Sequence, residues 1–137
     1  MDVVKSAQAM VAGMAPELQP GLFVFATVPV AQGQTLLAEA RASCQEAEGL
    51  SLILPIAGAR AAGLACAHPM QCITLNVYSA LDGFGLTAAV ATALAEAEIP
   101  RNMVAAFHHD HAFVPANQSK RALAILCALQ MQAAQES

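Results

Sequence analysis

The same order of predicted strands, turns and helices occurs twice in this 137-residue chain, and this repeat restricts the folds that the chain can adopt. Residues 40–64 and the stretch from residue 103 into the C-terminal helix both indicate strand, turn, strand, proline and helix. A unit this small cannot bury its apolar face alone, so two such units must lie side by side. We therefore predict an α+β fold of two halves, 1–67 and 68–137, each an antiparallel sheet with helices packed on one face.

The first half begins with apolar side chains at spacings of three and four, which predict a helix, and continues with runs of aromatic and β-branched residues, which predict strands. Gly49 suits the positive φ that the turn between two of these strands requires. The predicted elements are a helix over residues 2–14, strands over 22–28, 40–45 and 50–54, a loop over 29–34, and a helix over 57–64.

The second half contains the clearest period-two pattern, in which Ile73, Leu75 and Val77 alternate with polar residues. We expect that strand to turn one face to the core and the other to water or a partner. A helix ending near residue 97 carries an apolar stripe at i, i+4, i+7, i+8 and i+11. The remaining predicted elements are strands over 103–107 and 112–114, a turn over 108–111, and a last helix that Asn117 caps.

The composition favours self-association and excludes one class of partner. Charged residues make up only 12% of the chain and hydrophobic residues 57%, so few charges are available to cover a lone globule. We therefore expect the chain to bury an apolar surface in a homo-oligomer, most simply a dimer. The net charge is −4, and the six Lys and Arg residues cluster nowhere beyond Lys120 and Arg121, which gives no footprint for nucleic acid.

The sequence predicts neither a membrane anchor nor a signal peptide. The best apolar run, residues 84–99, contains Glu96 and Glu98. Lys5 interrupts the stretch that a signal peptide needs to be apolar, so the expected location is the cytoplasm. The four cysteines show no paired spacing, which indicates free thiols and not a zinc site.

Three features of the second half are typical of one family: a strand that ends at Tyr78-Ser79, the turn Asp82-Gly83-Phe84-Gly85 that opens a helix, and residues 99–103 that lead into the next strand. They resemble the ACT domain, a βαββαβ, ferredoxin-like regulatory module found on many enzymes of amino-acid metabolism. The whole chain resembles a family of short bacterial tandem-ACT proteins of unknown function. The matching stretches are residues 16–28, 46–54, 73–102 and 108–115.

The resemblance implies a site for a free amino acid at the first strand-to-helix turn and across an interface between two modules. The matching positions here are Asp82, Gly83, Phe84, Gly85, Leu86 and Asn102. Unpaired N–H groups at a helix start attract a carboxylate, and glycines let a ligand approach the backbone. Asp82 and Asn102 match the positions that receive the ammonium group, although the family often has asparagine in place of Asp82. The first half lacks such a pattern after Val28, so we expect no equivalent second site there.

Each of these residues also has a plainer structural explanation. Asp82 could simply cap its helix, Asn102 could close the turn after Pro100, and the glycines could serve helix–sheet packing. The prediction of a ligand site therefore depends on the residues occurring together.

The segment His108-His109-Asp110-His111 is the sharpest local signal outside that turn. Residues two apart in a strand project to one face, so His109 and His111 could chelate a metal with Asp110 or a partner's residue. A histidine pair alone does not make a tight site, and no third ligand has a suitable spacing. The alternatives are a ligand or interface contact at His109, Asp110 and His111, and a structural turn in which Asp110 accepts backbone N–H groups.

Catalysis has little support, because Ser79 lies in no nucleophile motif and few titratable groups are available. We predict a non-enzyme without cofactor that binds an amino acid, dimerises and acts through a partner enzyme or transporter. The alternatives are an oligomeric interaction module without ligand, and a metal-binding protein that uses residues 108–111.

Overall fold

The structure is a computed structural model that describes residues 6–77 and 84–136. It divides into a central unit, Gly21–Met70, and a terminal unit, which joins the described residues up to Pro20 to those from Gln71 onward. The helices are α1 (Ala7–Ala12), α2 (Val30–Gln34), α3 (Ile56–Ala61), α4 (Leu86–Glu96) and α5 (Ser119–Gln135). The strands are β1 (Pro16–Leu18), β2 (Phe23–Val28), β3 (Ala42–Glu46), β4 (Gly49–Pro55), β5 (Met70–Leu75), β6 (Asn102–Ala105) and β7 (Asp110–Pro115). None of the described helices has both the length and the hydropathy to cross a bilayer.

The central unit contains an antiparallel sheet in the order β3-β4-β2. β3 and β4 form a hairpin closed by the pair Glu46 and Gly49, and Gly49 has φ +153°. Residues other than glycine rarely adopt that backbone conformation. The positive φ predicted for this turn is therefore confirmed. Alternate residues of β2 and β4 form an apolar core with α3. The buried core residues are Val24, Val28, Leu50, Leu52, Leu54 and Ala59.

The terminal unit contains strands in the order β1-β5-β7-β6, with β1 antiparallel to β5 and β6 antiparallel to β7. α1, α4 and α5 pack against one another on this sheet. In the apolar stripe predicted for α4, Leu86, Val90 and Leu94 are at most 2% exposed, and Ala93 and Ala97 are half-buried. The apolar residues of the period-two pattern in β5 face the same core.

Both units follow the strand-helix-strand-strand-helix order of an ACT-like half. The central unit runs β2-α2-β3-β4-α3, and the terminal unit runs β5-α4-β6-β7-α5. β1, which precedes the central unit in the sequence, supplies the fourth strand of the terminal sheet. This ferredoxin-like arrangement confirms the predicted α+β class. The division into residues 1–67 and 68–137 stays a prediction.

Two elements differ from the prediction. Residues 29–34, predicted as a loop, contain α2, because the buried Gly33 lets this short helix approach Val28 and Leu50 closely. β1 follows α1 in a proline-containing segment, where no local signal predicted a strand. Its pairing with β5 is a contact between distant parts of the sequence.

One expectation about a single residue is wrong. Asn117 does not cap the last helix, because it lies inside a 3₁₀ turn (Ala116–Gln118) and α5 begins at Ser119 without a side-chain cap. On the polar face of the period-two pattern, Asn76 is exposed, whereas Thr74 is only 4% exposed. Gln19, just after β1, donates a hydrogen bond to the Thr74 hydroxyl over 3.0 Å and covers it.

Candidate functional site

The strand-to-helix connection of the terminal unit is described from Phe84 onward, and Asp82 and Gly83 lie outside the described residues. Gly85 directly precedes α4 and has φ +111°, which would strain any other residue. A Cβ at Gly85 would also collide with the Cβ of Ala7 in α1. No described side chain caps the first turn of α4.

The two neighbours of Gly85 have opposite environments. Phe84 is 84% exposed, whereas Leu86 is 2% exposed and belongs to the apolar core of the terminal unit. Leu86 therefore anchors the first turn of α4, and Phe84 presents an aromatic ring beside it.

Two contacts show which end of the terminal sheet adjoins this connection. The His109 Nδ1 lies 3.4 Å from the Val77 carbonyl oxygen, and the His111 Nδ1 lies 3.0 Å from the Thr74 Oγ1. β7 therefore runs antiparallel to β5, and the turn before β7 lies at the end where β5 leads towards α4. A hydrogen bond from the Ala106 N–H to the His109 carbonyl oxygen, 3.0 Å long, closes that turn.

Asn102 lies at the opposite end of the same sheet. It begins β6 and pairs with Phe113, whereas Ala105 at the other end of β6 lies beside the turn. Phe113 alternates with Ala112 and Val114, which both belong to the helix-covered core, so Asn102 and Phe113 face away from the helices. Within one unit the structure does not bring Asn102 to the start of α4.

The histidine-rich segment is placed differently from the predicted turn over 108–111, because the pairing of β6 with β7 includes Asp110 and His111. Asp110 is 9% exposed and alternates with Ala112, which puts its side chain on the helix-covered face. Burial raises the pKa of the Asp110 carboxyl, and the charges of His111 and His109 lower it by less.

A polar cluster that the sequence reasoning missed lies on the other face of the terminal sheet. Gln19 donates to the Thr74 hydroxyl, which in turn lies within hydrogen-bond distance of the His111 Nδ1. The buried Cys72 Sγ is 3.9 Å from both Thr74 Oγ1 and His111 Nδ1. The alternation of side chains along β5 could have predicted that Cys72 and Thr74 share a face, but no local pattern predicts that Gln19 joins them. These contacts hold the His111 ring against β5.

In the part of the chain that the structure describes, no three His, Cys, Asp or Glu side chains are grouped so as to hold a metal ion. The Nδ1 atoms of His109 and His111 contact different partners, the Val77 carbonyl and the Thr74 hydroxyl. The described geometry therefore offers no support for the metal-binding alternative.

The ACT domain family matches the chain twice in tandem, at residues 4–71 and 68–128. The solved structure of a Vibrio cholerae protein of unknown function is 41% identical and has a TM-score of 0.78, with 87% of this chain and 92% of that chain covered. This chain is a tandem ACT-domain protein. The family resemblance expected from residues 73–102 and the other quoted stretches is thereby confirmed.

Two further solved structures share the fold of the tandem ACT protein at low identity. An Agrobacterium tumefaciens protein is 18% identical with a TM-score of 0.64, covering 84% of this chain and 87% of that chain. The aspartate kinase of Clostridium acetobutylicum, described as an allosteric enzyme, is 10% identical with a TM-score of 0.64, covering 83% of this chain and 34% of that chain. The Vibrio cholerae protein is described as a possible transport protein. No curated protein matches the chain.

Proposed function

We propose that this tandem ACT protein is a non-catalytic regulator that binds a free amino acid at the start of α4. The observation that carries the proposal is the helix start at Gly85, where the backbone conformation favours glycine and no described side chain acts as a cap. The first-turn N–H groups and the helix dipole favour a carboxylate at such a position. Both family matches are to ACT domains, which are regulatory modules, and one structural neighbour is described as allosteric.

The proposed site is completed across an interface between two copies of the chain. The proposed ligand-binding residues are Asp82, Gly83, Phe84, Gly85, Leu86 and Asn102. Asn102 lies far from the start of α4 within one unit, so it serves the site of a neighbouring copy, which requires a homodimer. Binding then changes how the dimer docks with a partner enzyme or transporter.

The state of the cysteines supports a location in the cytoplasm. Every described cysteine is a free thiol, and Cys44 is exposed. Exposed free thiols persist in reducing compartments, whereas oxidising ones favour disulfides.

A thermal-shift panel of the twenty amino acids tests the proposed function. A ligand at 100 times its Kd adds about 2.7 kcal/mol to the unfolding free energy, which raises the Tm by several degrees. We expect at least one amino acid to do so, and Asp82→Ala and Asn102→Ala each to abolish the shift. Asn117→Ala, which removes an exposed amide from the 3₁₀ turn, should keep it. A panel with no shift would contradict the proposal.

Two exposed phenylalanines favour a second candidate, an interaction module that binds no small ligand. Phe84 before α4 is 84% exposed, and Phe107 in the turn before β7 is 73% exposed. Both lie at the same end of the terminal unit, and paired exposed aromatic residues are typical of protein contacts. Unchanged oligomerisation in the double variant Asp82→Ala, Asn102→Ala, together with no response to any amino acid, would favour this candidate.

A further inference from the structure

We infer that Asp110 also receives the ammonium group of the bound amino acid, in addition to the ligand-binding residues proposed above, an inference that rests on the proposed function. Three observations carry it: the position of Asp110 relative to α4, its burial, and the lack of a hydrogen-bond donor to it among the described residues. The ligand chemistry that follows is a primary ammonium group close to a carboxylate held at the start of α4.

The topology puts Asp110 on the same face and at the same end of the terminal sheet as the start of α4. Asp110 is the first residue of β7 and alternates with Ala112 and Val114, which are fully buried beneath the helices. β7 begins at the end of the sheet where β5 leads towards α4. α4 connects β5 to β6 and therefore crosses β7, which lies between them.

The Asp110 carboxylate is largely buried, and the charges of His111 and His109 offset only part of the cost of that burial. The residue is 9% exposed, and none of the described residues donates a hydrogen bond to the carboxylate. Every fully buried polar side-chain atom in the described ranges has a partner, so the unbonded oxygens of Asp110 still reach solvent and a ligand can reach them. A charge withdrawn from water without a partner lowers stability, and such costs are typical of binding sites. A cationic ligand group would offset this cost.

The charges at this end of the terminal unit match a zwitterion. The start of α4 offers partial positive charge, and Asp110 offers a negative one. An α-amino acid carries the complementary pair of charges on adjacent groups. A metal ion fits less well, because no three metal-ligating side chains are grouped in the described ranges.

The test compares the thermal shifts of the wild-type chain and Asp110→Asn with three sets of probes. These are the twenty amino acids, their N-acetyl derivatives, which lack the ammonium charge, and ethylamine and butylamine, which lack the carboxylate. Glu96→Gln, which removes an exposed carboxylate from the far end of α4, is the matched control. We expect an amino acid, but not its N-acetyl derivative, to stabilise the wild type and Glu96→Gln. Asp110→Asn should bind that amino acid about 30-fold more weakly or worse.

The outcomes separate this inference from the proposed function. An amino acid that stabilises Asp110→Asn as well as the wild type would overturn the role of Asp110 and leave the proposed function intact. Amines that stabilise the wild type but not Asp110→Asn, without any response to amino acids, would support the role of Asp110 and contradict the amino-acid ligand. No response to any probe would overturn both.

The Tm of the ligand-free variant distinguishes ligand binding from a structural role. Asp110→Asn keeps the shape of the side chain and removes a buried charge whose burial outweighs its attraction to the nearby histidines, so its Tm should equal or exceed that of the wild type. A clearly lower Tm would show that the carboxylate supports the fold, and would overturn the inference.

Discussion

Burial raises the pKa of the Asp110 carboxyl above its ordinary value, and the positive charges of His111 and His109 offset only part of this effect. The folded state therefore favours the protonated acid. The carboxyl contributes stability that is fully present below the unfolded pKa and is lost as the pH rises through the folded pKa. Because Asp110→Asn removes this titration, its ligand-free Tm should exceed that of the wild type at neutral pH.

Calorimetry of both proteins from neutral pH down to the ordinary carboxyl value of 3.8 measures this dependence. We expect the two Tm curves to converge as the pH falls through the raised pKa. Parallel curves would show that Asp110 titrates alike in the folded and unfolded chain.

Among single residues, local features of the proposed site were easier to predict from the sequence than the positions of its residues. The local pattern around Gly85 predicted a helix start, and the structure has one. The pairing of β6 with β7 decides that Asp110 faces the helices and that Asn102 faces away from them. That register is a property of two strands together, so the motif around either residue could not show it.

Two helical glycines with different neighbours give a test at the scale of an element. A Cβ at Gly33 in α2 would lie 2.5 Å from the Leu50 Cδ2 and 3.1 Å from the Val28 Cγ2, both in buried side chains. A Cβ at Gly58 in α3 would meet only the carboxylate of Glu39, 2.7 Å from its Oε1, and this exposed side chain can move away. We expect Gly33→Ala to lower the unfolding free energy by about 1–3 kcal/mol.

Gly58→Ala should instead raise the unfolding free energy by up to about 1 kcal/mol, because alanine is the better helix former. Urea unfolding of the two variants measures both changes. Two changes of the same sign would mean that close packing of α2 on its sheet does not explain why a glycine stands at position 33.

The elements that the sequence predicted are those defined by local periodicity. The stripe of Leu86, Val90 and Leu94 fixes the buried face of α4 without reference to any other element. β1 has three residues and becomes a strand only through its pairing with β5, more than fifty residues away. α2 has five residues and depends on contact with β2 and β4 at Gly33. Both missed elements are held by tertiary contacts that a local pattern does not contain.

For the molecule as a whole, the backbone of β3 indicates where two copies can meet. The hairpin closes at the pair Glu46 and Gly49 around two turn residues, so Glu46 and Cys44 direct their backbone groups towards β4. Ser43 and Gln45 direct theirs to the opposite side, where the sheet of the central unit ends at β3. An antiparallel copy of β3 centred on Cys44 would pair with these groups.

The charges beside β3 favour the antiparallel orientation. Arg41 precedes the strand, and Glu46 and Glu48 lie at its other end. Antiparallel self-pairing brings opposite charges together at both ends, whereas parallel pairing would bring like charges together. This edge can therefore accept a second copy of the chain, with a two-fold axis at Cys44, and this contact is separate from the one proposed at Asn102.

Cys44 tests this interface, because the two-fold axis would place Cys44 of one copy opposite Cys44 of the other. Its backbone groups point to β4, so the pair across the axis is not hydrogen-bonded and its Cα atoms lie about 4.5 Å apart, within the range of a disulfide. Oxidation by diamide, which accepts the two protons and two electrons of the thiols, should give a covalent dimer on a non-reducing gel. Cys44→Ser should still sediment as a dimer but should not cross-link, whereas Cys127→Ser should cross-link like the wild type. A monomer in sedimentation, or a cross-link that survives Cys44→Ser, would exclude self-pairing at β3.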